Sequence, residues 1–190
     1  SWAWYKYMEG VWYYNHHVFI FRSADGQNCA KVIFDTYKDQ MGNSGHITFR
    51  YIYDGEQDAD IEQPKEPEQP EEPAPAGVTK DTVVSNYMGG HRWHYYSFAK
   101  GELVDMTDEE AAESLEWDIA FDRNYIRTNS GEGCKGNGGA LDMNKTEFDD
   151  VPNLPTSGYK KDKTATIQNS PMSSQKEIET AINPAFVCHE

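Results

Sequence analysis

Long apolar runs are missing from this 190-residue sequence. None approaches the roughly 18 residues that a membrane-crossing helix needs. Positive charge is scarce: 17 Lys and Arg face 32 Asp and Glu, a formal net charge of −15. Such a chain repels a phosphate backbone and an anionic lipid surface, which excludes nucleic-acid binding as its main role. Cysteine is sparse as well. The three residues, Cys29, Cys134 and Cys188, cannot all pair internally, and their spacing is no zinc pattern. They leave the redox compartment open. There is no initiating Met and no signal peptide, so a processed chain is expected.

What the sequence has is aromatic side chains, 12 Tyr, 8 Phe and 5 Trp, or 13% of the chain. With β-branched residues they favour strands over helices. Val18–Phe21 and Ala30–Phe34 flank Asp25-Gly26, a strong hairpin signal. His46–Tyr53 alternates as a half-buried strand does, with Ile47, Phe49, Tyr51 and Tyr53 on one face. Short strands are expected at Thr82–Val84, Trp93–Phe98, Glu102–Val104, Trp117–Phe121 and Tyr125–Thr128. Thr107 followed by Glu110 reads as a capping box opening one or two helical turns. Residues 129–139 are Gly-rich and must form a loop. Beyond residue 140 the signal is weak, with a short helix expected near Lys176–Ile182. The expected fold is all-β, with antiparallel sheets and minimal helix in a single domain.

Residues 54–77 differ in kind. They hold five of the nine Pro, and nine acidic residues against one Lys. Ile61 is their only aliphatic side chain larger than Ala. Such a segment cannot bury enough apolar surface to offset its ordering entropy, and it reads as an extended linker. Tail-like composition belongs at chain ends. Here it lies in the middle, while the ends (Ser1–Tyr5 and Phe186–Glu190) are apolar and aromatic. A circular permutation or a misordered chain has this appearance.

The Gly-rich loop carries Lys135 but no Gly-Lys-Ser/Thr, so it is not a phosphate cradle of Walker type. It suits a tight loop needing positive φ, or a backbone lining a ligand pocket. The six His (16, 17, 46, 91, 94 and 189) show no zinc-enzyme spacing and read as surface or strand residues. No Ser-His-Asp set or nucleophile elbow stands out, and nothing argues for an enzyme. Among the Met, Met8 ends an aromatic strand just before a turn, and Met172 lies in a polar loop where core packing gives it no reason. A thioether is a soft ligand suited to Cu(I) or haem iron.

Several stretches resemble the HmuY-like haem-binding lipoproteins, or haemophores. They are Trp93–Glu102, Trp117–Phe121, Tyr125–Gly131 with Lys135–Ala140, Val18–Gly26, Ala30–Val32 and Gly45–Phe49. The resemblance covers nearly all of the chain outside the linker, but in rotated order. Residues 1–53 match the C-terminal part of the family's domain, 54–77 its acidic Pro-rich tether, and 78–190 its N-terminal part. This fits one domain in permuted order, or a tandem fragment whose partial units reconstitute a fold by swapping between chains.

The resemblance implies a haem (iron protoporphyrin IX) clamped by two axial side chains. Met172 and Met8 occupy the matching places, 26 residues apart when Glu190 is joined to Ser1. No His lies at either place. Trp4, Tyr5, Tyr7 and Trp12 are available to cover the porphyrin, or equally to pack in the core. The resemblance further implies an extracellular or outer-membrane surface lipoprotein, held only by a lipid anchor or shed from it. Such a protein takes haem from host haemoproteins and passes it to an outer-membrane haem receptor. Another reading is a surface adhesin or carbohydrate-binding module with Trp2, Trp4, Trp12 and Trp93 as a stacking platform.

Overall fold

The computed structural model describes residues 1–55, 77–85, 93–167, 176–182 and 186–188, with only the backbone of 167, 176, 178, 179 and 186–188. It opens on an aromatic hairpin, β1 (Ala3–Lys6) and β2 (Val11–Tyr14). Its register pairs Trp4 with Tyr13 and Tyr5 with Trp12. Two longer hairpins follow through β3 (Val18–Arg22), β4 (Cys29–Lys38) and β5 (Ser44–Tyr53). The Asp25-Gly26 signal is borne out. Gly26 adopts φ +76°, and Asp25 Oδ1 accepts from Ser23 Oγ at 2.6 Å and Gln27 N at 2.9 Å. The connection is longer than the shortest hairpin loop, because the strands stop at Arg22 and restart at Cys29.

After the linker come β6 (Thr79–Val84), β7 (His94–Ser97) and β8 (Glu102–Val104), then a short helix, α1 (Asp108–Glu113). Its capping box forms as expected: Thr107 Oγ1 accepts from Glu110 N, and the Glu110 carboxylate accepts from Thr107 N. Then follow β9 (Ile119–Asp122), β10 (Tyr125–Thr128), β11 (Gly139–Asp142), a 3-10 turn at Phe148–Asp150, β12 (Lys163–Ile167), β13 (Lys176–Thr180) and β14 (Phe186–Cys188). The fold is all-β.

A five-stranded sheet runs β11-β3-β4-β5-β6, a four-stranded one β10-β9-β7-β8, and smaller ones β14-β1-β2 and β12-β13. Among the described residues, the one parallel pairing is β14 with β1. The two large sheets share one core. Phe19, Phe21, Phe34, Phe49 and Tyr51 meet Tyr96, Phe98, Ile119, Phe121 and Ile126 there, all 2% exposed or less. Phe49 stacks on Phe121 with centroids 5.6 Å apart and meets the edge of Tyr96 at 5.3 Å.

Two expectations are corrected. The helix near Lys176–Ile182 is instead strand β13, because Ile167↔Lys176 through Lys163↔Thr180 zip antiparallel with β12. That partner lies outside any local window, so pairing overrides local preference. Trp117 precedes β9 rather than opening it. It is buried against Tyr95 at 4.7 Å, and its indole N–H donates to Ala111 O at 2.9 Å.

Candidate functional site

The β1–β2 hairpin reverses the usual ordering of apolar and polar. Tyr7 and Met8 at its turn are 63% and 77% exposed, and Val11 and Tyr13 beside them also reach solvent. The turn closes through Gly10 N donating to Lys6 O at 2.9 Å, with Gly10 at φ +68°, a conformation that a side chain opposes. A polar brace holds it from outside. Lys6 Nζ pairs with Glu9 at 3.1 Å and lies 5.2 Å above the Tyr13 ring, while the Tyr13 hydroxyl donates to Glu9 Oε2. The Tyr13 bond, then the Lys6 bond, hold the Glu9 carboxyl below its ordinary range.

Strand alternation splits the aromatic residues between two faces. Trp4 and Tyr13 stack on the outward face, centroids 5.8 Å apart and 11° from parallel. Tyr5 and Trp12 meet on the inward face at 5.4 Å, and Trp12 reaches Tyr37 at 5.2 Å. Trp4 and Tyr5 therefore do not form one wall. They flank the strand that delivers Met8. Met172 falls among residues 168–175, between β12 and β13, outside the described residues.

Other methionines differ in surroundings. Met41 is 88% exposed, but its turn is polar, with Asp39, Gln40 and Asn43 around it in sequence. Met106 packs against the cluster of Tyr95, Ala111 and Trp117, and Met143 against that of Val18, Ile20 and Ile33. Among these, Met8 joins high exposure to an aromatic neighbour in sequence, Tyr7, which is itself exposed.

The stacking platform of four Trp is not assembled. Trp2 is fully buried, its indole N–H donating to Asn124 O at 3.1 Å, and Trp12 and Trp93 are half-buried. Ring contacts of Trp2 with Tyr14, Phe34 and Tyr37 place it in the core. Of the histidines, His17 bonds Asp142 at 2.9 Å and His46 lies 3.7 Å from Asp39, each a surface pair. His91 and His189 lie outside the described residues. Among the described residues, no group of three or more His, Cys, Asp or Glu is placed to hold a metal ion.

The Gly-rich loop has a structural task. Asn129 is fully buried. Its amide donates to Ser114 O and Trp117 O, both at 2.9 Å, and its Oδ1 accepts from Gly136 N at 3.1 Å. A Cβ on Gly136 would lie 2.4 Å from the Asn129 carbonyl and side-chain oxygens, and one on Gly138 2.8 Å from the Asn129 carbonyl oxygen, so the loop wraps Asn129 too closely for anything but glycine. Asp162, 4% exposed, accepts from Thr128 N at 3.1 Å and Thr128 Oγ1 at 2.9 Å, and pairs with Arg127 at 3.4 Å. Burial pushes its carboxyl up to about 6. Arg127 lies between Trp93 (5.3 Å) and Trp117 (5.7 Å) and donates to Cys134 Sγ.

Local reasoning missed Tyr13 and Glu9. A signal existed: counting back from a turn at Gly10 sets Tyr13 opposite Trp4.

Compared with known families, the family model described as HmuY protein matches residues 1–51 and 90–187. No curated protein matches the chain.

Proposed function

The chain belongs to the HmuY family, a family of haem-binding proteins, and on that premise we propose that it captures haem through Met8 and Met172. The observation that supports this reading is Met8 itself, an apolar side chain left 77% exposed at the hairpin turn. Tyr7 lies next to it in the turn, and Trp4 and Tyr5 flank its strand. A bound haem would supply an iron with two axial positions. Two neutral thioethers favour ferrous over ferric iron and raise the reduction potential. Binding tighter under reducing conditions follows.

The role is capture and delivery rather than catalysis. In this reading the protein is a lipid-anchored surface protein that takes haem from host haemoproteins and hands it to an outer-membrane receptor. Residues 54–77 act as an acidic stalk.

The test is a haemin titration followed by absorbance, with and without dithionite, on wild type, Met8→Ala and Met172→Ala. A saturable one-to-one band, strongest when reduced and weakened by each substitution, is expected. A band that survives both substitutions overturns the ligand assignment and returns attention to the histidines. No saturable band in either redox state overturns the haem reading.

A further inference from the structure

The linker divides the molecule in sequence but not in space. Residues 1–55 and 77–188 meet along three strand seams. β5 pairs with β6 from His46↔Val84 to Tyr51↔Thr79. β3 pairs with β11 from Arg22↔Gly139 to Phe19↔Asp142. β1 pairs with β14 from Trp4↔Phe186 to Lys6↔Cys188. Between the seams lies the core, and its ring contacts cross the divide. Tyr51 meets Phe98 at 5.2 Å, and Phe21 meets Phe98 at 6.3 Å.

Buried polar groups cross it too. Asp118 Oδ1 accepts from Ala24 N at 3.0 Å, and its other oxygen accepts from Phe98 N at 2.8 Å. Asn137 N donates to Ala24 O at 2.7 Å, and Ser85 N to Gly45 O at 2.6 Å. A small cluster around Tyr95, Ala111, Trp117 and Ala120 lies within the second half, but the main core draws on both. Alone, each half leaves a face of that main core and three strand edges open.

Tyr51 and Thr79 lie opposite each other in the β5–β6 ladder, so Tyr53 and Gly77 end close together. A hairpin there needs about 2–5 residues. The chain runs through residues 54–78 instead, with five Pro and a run of acidic side chains. A connection that long imposes little geometry of its own, and its closure cost rises only slowly with length.

We propose that residues 1–55 and 77–188 are complementary halves of one domain, held by their seams rather than by the segment between them, and that each half fits the matching half of a second copy of this chain. The seam is thus an interaction surface whose partner is this chain itself. The linker supplies only effective concentration, of about millimolar order for flexible connections. Pairing within one chain therefore prevails in dilute solution, and exchange between copies grows as the protein approaches that concentration.

The test uses the full chain with a protease site placed within residues 56–76. After cleavage, both fragments should co-elute at the volume of the uncut protein, with unchanged near-UV circular dichroism. Fragments that elute apart, or loss of the aromatic signal, overturn the proposal. Cut protein is then mixed with an isotopically labelled cut copy, unfolded and refolded. Native mass spectrometry should find about half of the pairs mixed, one labelled fragment with one unlabelled. Refolded pairs that are never mixed overturn the exchange between copies. None of these readouts involves haem, so the outcome stands apart from the function proposed above.

Discussion

The turn of the β1–β2 hairpin and the Gly-rich loop at 129–139 invert each other. At the hairpin, apolar side chains face water: Tyr7 is 63% and Met8 77% exposed. At the loop, polar side chains are sealed in: Thr128, Asn129 and Ser130 are 1% exposed or less. Each is the reverse of the default, in which apolar groups go in and polar groups stay out. The difference lies in who satisfies the exposed or buried chemistry. Every hydrogen-bonding direction of the Asn129 side chain that the loop can reach is met by protein, so that region is complete by itself. The hairpin turn is braced from outside by Lys6, Glu9 and Tyr13, and Tyr7 and Met8 still reach solvent there. An inverted region whose polar groups are satisfied within the protein is structure. The exposed apolar turn is where the haem contact is proposed.

The largest effect should come from opening the loop. Asn129→Ala removes three bonds to buried backbone groups and should cost about 3 kcal/mol, since each buried group left unpaired costs about 1–3 kcal/mol. A urea denaturation midpoint checks it. A change under about 1 kcal/mol would mean that the loop is not the self-satisfied unit described.

Next in size is a pH effect at the same site. The Asp162 carboxyl is raised by burial to about 6 from an ordinary 3.8. A folded value above the unfolded one means that the folded state holds the proton more tightly. Its stabilising contribution is fully present below the unfolded value and is lost as pH rises through the folded value. Between pH 4 and pH 7 wild type should lose stability on the order of 2 kcal/mol from this group, at about 1.4 kcal/mol per unit. Asp162→Asn, which keeps an acceptor toward Thr128, should flatten that slope. Equal slopes in the two proteins would reject the assignment. Burial also raises Asp118, so part of the wild-type slope should survive the substitution.

The hairpin should give smaller changes in stability. Met8→Ala should move the midpoint by less than about 0.5 kcal/mol, as exposed positions do. Tyr13→Phe keeps the stack on Trp4 and removes only the hydroxyl bond to Glu9, so its midpoint should match wild type. Its effect should appear instead as a weaker hold on reduced haem, read as a faster off-rate. An off-rate equal to wild type would mean that the brace does not position Met8.

How much of this was legible in the sequence follows from range. The Asp25-Gly26 hairpin, the Thr107–Glu110 cap and the alternation of His46–Tyr53 depend on neighbours within a few residues, and the structure has them all. Strands β11 and β13 depend on partners far away, Arg22–Phe19 and Lys163–Ile167, and their own residues carry weak signals. The Gly-rich loop was legible as a tight loop. Its reason, Asn129 filling the space that side chains at 136 and 138 would need, is a packing fact. At the candidate site Met8 was reached through the family resemblance, and its exposure needed the fold. The split of Trp4 and Tyr5 between opposite faces needed the register of β1 with β2.

The most direct test of the contrast between the two regions is the affinity of Met8→Ala for reduced haem, measured beside its urea midpoint. The account predicts an affinity at least about tenfold lower, equivalent to about 1.4 kcal/mol, with an unchanged midpoint. An affinity equal to wild type, or a midpoint that falls together with the affinity, would contradict it.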